Sequence, residues 1–347
     1  MSQPTKILVL RFSAMGDVAM TVPVLKELLA KYPNLTLVVV SRKAFEPFFA
    51  GIPNIEFHAF EPKTKHKGLL GILRLFKELR SYKATALADL HQNLRSNVLS
   101  RLFWFAGISI ANLDKGRTEK IALTRKKNKH VVALKATTQG YADVFATLGF
   151  PFSLKNTLTK QPEPLNTNIL QLSGKKGAQK WIGVSPFAQH SQKVYPLDKM
   201  GKVLTTLSAE GYRIFVFGGG QDEQKIAENW AITHENITSL IGKLNLSEEL
   251  SLISNLDVML SMDSSGMHLA SLKGIPVVSV WGATHPNAGF LGYGQNLTNC
   301  IQVDLYCRPC SIYGNIPCHR GDFACMNQLS ESRIIQKINE TFSLKMQ

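Results

Sequence analysis

The sequence predicts an α/β fold of two doubly wound, Rossmann-like domains, and three observations predict it. Short runs rich in Val, Ile and Leu alternate with longer segments of helical period, the pattern of parallel strands covered on both faces by helices. The alternation lapses in a polar stretch with Pro and Gly between Leu154 and Lys180 and then restarts, as it does where one domain gives way to another. At 347 residues the chain suits two domains of roughly 100–200 residues, each able to bury its own core. The expected division is 1–165 and 175–347, with the last helix placed to pack back on the first domain.

Lys6 to Arg11 reads as the first strand, Phe12 to Asp17 as a turn and Val18 to Tyr32 as a helix. Leu35 to Ser41 and Ala84 to Leu90 are further strands, with Leu69 to Leu79 a helix between them that carries Lys and Arg on its polar face. In the second domain the strands are Trp181–Ser185, Ile214–Gly218, Val258–Met262 and Pro276–Trp281. The helices between them are Lys199–Glu210, Gln221–Thr233, one capped by Ser247 and ending at Ser254, and one over about Ser265–Lys273. Doubly wound sheets bind ligands beyond the carboxyl ends of their strands, so the chemistry belongs in the loops that follow them.

Composition narrows the classes. With 44% hydrophobic and 19% charged residues the chain is globular rather than disordered. No apolar run approaches the roughly 18–20 residues of a membrane span. The N-terminus lacks a signal-peptide core, which places the protein in the cytoplasm. The charge is +15, from 40 Lys+Arg against 25 Asp+Glu. Much of the excess lies between Glu61 and His130, where 16 basic residues face 5 acidic ones. That points to an anionic partner: nucleic acid, a membrane surface or a phosphorylated substrate.

Four loops could carry chemistry. In the first, Gly16 permits close backbone approach and Asp17 stands at a helix start, where a carboxylate either caps the helix or serves as a general base. Asp263-Ser264-Ser265-Gly266-Met267-His268 follows a strand; its small residues at a helix N-terminus leave amides for phosphate. Asp263 has the wrong charge for phosphate and suits loop orientation or a sugar hydroxyl, while His268 is either a phosphate donor or a packed core residue. Lys193 is either a solvated charge or a cation for a leaving diphosphate. Gly218-Gly219-Gly220 opens a helix beside Asp222 and Glu223, which either bind ribose or cap; the run lacks the G-x-G-x-x-G spacing of a dinucleotide site.

In this order the motifs resemble the ADP-heptose:lipopolysaccharide heptosyltransferases of glycosyltransferase family 9. The likeness rests on Met15-Gly16-Asp17, Lys193 before Tyr195-Pro196, Phe217-Gly218 with an acidic helix start, Asp263 to His268, and Trp281-Gly282-Ala283-Thr284-His285-Pro286. Two departures stand out: the Gly of the Asp263 motif is displaced by one position, and Ala14 replaces a hydroxyl residue. The resemblance implies a GT-B fold whose two domains face a central cleft, with acceptor on the first and nucleotide sugar on the second. It implies inverting, metal-independent transfer of a heptose from ADP-heptose to a lipopolysaccharide inner-core acceptor of the Kdo-lipid A type, with no cofactor. Asp17 would be the base and Lys193 the cation on the diphosphate. Ser264, Ser265, Gly266 and His268 would lie around the phosphates, with Asp222 or Asp263 near the ribose or sugar. A family relative with another sugar or acceptor is the alternative.

Arg95, Lys115, Arg117 and Lys120 are candidates for the anionic groups of such an acceptor, or simply a solvated basic face. Together they imply an enzyme that touches the cytoplasmic face of the inner membrane peripherally. A non-catalytic nucleotide- or nucleic-acid-binding protein is the rival from another class, but no nucleic-acid module is recognisable. Cys307, Cys310, Cys318 and Cys325 could offer four thiolates to Zn²⁺, form a redox pair, or pack as an ordinary loop.

Overall fold

A computed structural model describes residues 5–343. The chain forms two compact units, Met1–Gly116 with Lys135–Lys155, and Arg117–Leu134 with Asn156–Gln347. The division expected at 165–175 therefore falls inside the second unit. Residues 117–134 also belong there, although sequence order places them with the first. The outer limits of the expected domains, residues 1–4 and 344–347, lie outside the described residues.

The first unit contains β1 (Lys6–Leu10), α1 (Met15–Lys31), β2 (Thr36–Arg42), β3 (Ile55–Phe60), α2 (Gly68–Arg80), β4 (Ala86–Asp89), α3 (Leu94–Phe105) and β5 (Ser109–Asn112). After the excursion that carries α4 (Arg117–Thr124), the unit is completed by α5 (Thr137–Thr147). Its parallel sheet has the order β3-β2-β1-β4-β5. β1 is central, and Leu8, Leu10, Val38, Val40 and Leu87 pack against Leu75, Leu79 and Phe103 on one face. Burial on both faces is why β1, β2 and β4 read as unbroken apolar runs.

The second unit holds α6 (Thr167–Ser173), β6 (Trp181–Ser185), α7 (Leu197–Ala209), β7 (Arg213–Val216), α8 (Gln221–Thr233), β8 (Ile237–Ser239) and α9 (Leu246–Ser254). It continues with β9 (Val258–Met262), α10 (Ser265–Leu272), β10 (Val277–Trp281), β11 (Cys300–Gln302), α11 (Ala324–Asn327) and α12 (Glu331–Ser343). The order β11-β10-β9-β6-β7-β8 is again parallel throughout. α12 lays Ile334 and Ile338 into this unit's core and packs on α7, β9 and β10. The apolar stripe of the last helix is therefore spent on its own unit. α9 is capped by Asn245, whose side chain accepts from the Glu248 amide, rather than by Ser247.

Each sheet has one place where the chain leaves a strand for opposite neighbours. In the first it lies between β1 and β4, and in the second between β6 and β9. Loops splay apart at such a point and leave a crevice at the strands' carboxyl ends.

Candidate active site

In the first unit the crevice is occupied by a buried arginine and a presented carboxylate. Arg11, one residue past β1, aims one guanidinium nitrogen at the Leu90 carbonyl 2.7 Å away and another at Asp17 Oδ2 at 2.5 Å. Its side chain is 9% exposed and that of Asp17 29%. Asp17 also accepts from the Ala14 amide at 3.3 Å, again through Oδ2. α1 thus begins at Met15, before the expected Val18, with Asp17 inside its first turn closing the cap. The capping reading is seen directly: Oδ2 caps and pairs, while Oδ1 takes part in neither bond.

Around the pair, the Tyr141 hydroxyl reaches the Asp17 carbonyl at 3.4 Å, and its ring lies 5.8 Å from the Arg11 guanidinium. Buried Asp89, at the end of β4, accepts from the amides of His91 and Gln92 and fixes that loop. His91 Nδ1 accepts from the Phe12 amide at 3.1 Å. Burial, then Arg11 and Lys115, push His91 down to about 3, so the ring is neutral at pH 7. Lys115 therefore lies close enough to act on His91, and exposed Arg95 is the second residue of α3 after the Asn93 cap.

In the second unit the arrangement is reversed. Lys193, in the turn after β6, sits 3.0 Å from Asp263 Oδ2 at the end of β9, with side-chain exposures of 16% and 6%. The carboxylate is the buried support and the ammonium the presented group. Asp263 is thus the ion-pair partner of Lys193. Ser264 is the N-cap of α10 but makes no side-chain cap bond, so the first-turn amides have no capping side chain. Gly266 sits here for a packing reason: a Cβ would lie 2.3 Å from Ser185 Cβ. His268 is buried on α10. At the start of α8, Glu223 accepts from the Gly219 amide at 2.8 Å, whereas Asp222 is exposed. Of the two acids, only Glu223 is taken up by its own loop.

Arg117 and Lys120 are grouped with a different unit from Arg95 and Lys115. They lie on α4 in the second unit, where the Lys120 ammonium stands 4.9 Å above the Phe290 ring. This corrects their expected placement on the first domain. The signal was misleading because basic residues adjacent in sequence are divided by the crossing of the chain between units.

Arg308 and Gly314, like Arg11, escaped the sequence reading. Arg308 is buried and donates to the carbonyls of Trp281, Gly282, Thr284 and Val303 and to Gln302 Oε1. Lys129 donates to the carbonyls of Cys307 and Pro309. Arg308 fastens the cysteine segment to the end of β10 and the loop after it, and Lys129 ties the same segment to the stretch after α4. At Gly314 φ is +74°, and a Cβ would come within 2.4 Å of Lys193 Cγ, so this segment is the seat on which the Lys193 stem lies. All five cysteines are free. Cys307, Cys310, Cys318 and Cys325 line one narrow cavity with Arg308. Burial pushes the Cys325 thiol up to about 11 and raises Cys310 as well.

Among the described residues, one set of three His, Cys or carboxylate groups has all its ligand atoms within 4.8 Å: His58, His66 and Glu78. There His66 Nδ1 accepts from the Glu61 amide at 3.0 Å, so Nε2 carries the proton and donates to Glu78 at 3.2 Å. The Nε2 lone pair is thus not available to an ion.

The model of glycosyltransferase family 9 (heptosyltransferase) matches residues 72–317. The chain belongs to this family. As a family 9 member it is a glycosyltransferase of the heptosyltransferase type. It is 26% identical over 309 residues to the lipopolysaccharide core heptosyltransferase OpsX of Haemophilus influenzae, covering 86% of this chain and 85% of that one. The glycosyltransferase of family 9 from Veillonella parvula superposes with a TM-score of 0.73 at 17% identity, over 98% of each chain. The E. coli heptosyltransferase WaaC with ADP gives 0.66 at 17%, over 97% of this chain and all of that one. The fold is accordingly of the GT-B type. No helix among the described residues is long and apolar enough to cross a membrane.

Proposed function

We propose that this heptosyltransferase transfers heptose from ADP-heptose, with inversion and without a metal ion, to an anionic lipopolysaccharide inner-core acceptor of the Kdo-lipid A type. The observation that carries the reading is the pair of opposed ion pairs, one presenting a carboxylate and the other an ammonium at the two switch points. An acceptor hydroxyl gives its proton to Asp17 Oδ1 as its oxygen bonds to the anomeric carbon. The bond from that carbon to the diphosphate breaks, and its electron pair leaves with ADP. Lys193, held by Asp263, meets the charge on the departing diphosphate, helped by the amides of Ser264, Ser265 and Gly266 at the positive end of α10. Asp222 is available to ribose hydroxyls. Arg95 and Lys115 meet the anionic groups of the acceptor, an assignment supported by the charge of the first unit and the core activity named for the Haemophilus relative. The enzyme works at the cytoplasmic face of the inner membrane.

The test is transfer from ADP-heptose to Kdo-lipid A in excess chelator, beside calorimetry with ADP, UDP and GDP. Chelator-resistant transfer and selective ADP binding are expected. Loss of transfer that Mg²⁺ restores overturns the metal-independent step, and equal binding of the three nucleotides overturns the donor.

A further inference from the structure

The basic turn before α2 is built more firmly than a solvated charge run requires. Between β3 and α2, His66 is fully buried: its ring stacks on Phe60 at 5.7 Å, Nδ1 accepts from the Glu61 amide and Nε2 donates to Glu78. Gly71 of α2 lies so close that a Cβ would meet the His66 backbone at 2.2 Å. Phe60 stacks in turn on Phe12 at 4.2 Å, and Phe12 meets His91 edge-on at 5.4 Å. A continuous run of rings thus joins the Asp17 loop to this turn along the carboxyl edge of one sheet.

That anchored edge presents both charge and grease. Lys63 and Lys67 are exposed on the turn. Leu69 and Leu70, in the first turn of α2, are 65% and 81% exposed, and Leu94, first residue of α3, is 81% exposed. α2 and α3 follow strands of the same parallel sheet and pack together through Phe76 and Phe103, so both N-termini lie at the same end of the sheet. Isolated surface leucines need no explanation, but three on helix starts at the same end of one sheet as exposed lysines do.

We infer that this edge, with Leu69, Leu70 and Leu94 framed by Lys63 and Lys67, docks on an anionic lipid bilayer. The leucines enter the headgroup boundary and the lysines meet the lipid phosphates, the division of labour of interfacial amphipathic segments. The anchoring by His66 and Phe60 means that little order has to be gained on docking. The surface would set the Asp17 loop at the membrane plane, where a glycolipid acceptor lies; in this it rests on the proposed function, though lipid binding itself does not.

The experiment is cosedimentation of the full chain with vesicles of phosphatidylglycerol and phosphatidylethanolamine, against phosphatidylcholine alone, with no glycolipid present. Binding to the anionic vesicles that weakens with salt is expected. Lys63→Gln with Lys67→Gln should weaken it about tenfold or more, since each lysine near an anionic surface contributes about 1 kcal/mol. Leu69→Ser with Leu70→Ser should weaken it about tenfold through lost apolar contact, with an unchanged thermal midpoint because both side chains are exposed. Wild-type partitioning by either variant, or equal binding to both vesicle types, overturns the inference. So does a concentration-dependent dimer that the leucine variant abolishes while lipid binding persists, because the face is then a contact between copies. Transfer to a water-soluble acceptor separates the two readings. If it proceeds without lipid binding, docking fails and the enzymatic reading stands; lipid binding without transfer gives the reverse.

Discussion

The two switch points carry the same kind of ion pair in opposite senses. At β1/β4 the arginine is buried and the carboxylate presented; at β6/β9 the carboxylate is buried and the ammonium presented. In each case the hidden partner fixes the position of the visible one and keeps its charge from being stranded in low dielectric. One doubly wound framework can therefore display a proton acceptor or an anion stabiliser, and which one depends on the partner placed underneath.

The sharpest way to break this contrast is to neutralise the presented groups. Asp17→Asn should lower kcat about 10²- to 10⁴-fold, the range for a positioned base, with the fold checked by circular dichroism. Lys193→Ala should cost about 10²- to 10³-fold and also weaken ADP in calorimetry, which Asp17→Asn should not. Gly314→Ala tests the seat beneath Lys193: the new methyl displaces the stem, and a fall of about tenfold or more in kcat is expected, as for small misplacements of a reacting group.

Two further measurements sharpen the supports. Arg308→Ala leaves buried carbonyls without a donor and should lower stability by about 3–5 kcal/mol, read as a drop in Tm. The smallest effect concerns His91. Its folded value near 3 lies below the unfolded value of about 6.5, so the unfolded chain takes up the proton first as pH falls. The contribution is fully present above pH 6.5 and declines as pH drops from there towards 3. Tm measured from pH 7 to pH 4 should fall less steeply in His91→Gln than in the wild type.

The central strands were legible because they are buried on both faces and so read as apolar runs, as in KILVL, TLVVVSR and VMLSM. Edge strands were not: β3 (IEFHAF) is only half-buried and mixes polar residues, while β8 and β11 are three residues long. Asp17, Lys193 and Asp263 could be singled out individually from their places after strands. Their partners could not, because Arg11 looks like the end of a strand and the contact of Gly314 with Lys193 exists only after folding. The grouping of residues 117–134 with the second unit was hidden for the same reason, and it assigns Arg117 and Lys120 to that unit.

The most direct test of the opposed pairs is calorimetry of ADP binding alongside single-turnover transfer for Asp17→Asn. ADP affinity within about twofold of wild type is expected, together with loss of transfer in the range expected for a missing base. Transfer at the wild-type rate would contradict this, as would a loss of ADP affinity as large as that caused by Lys193→Ala.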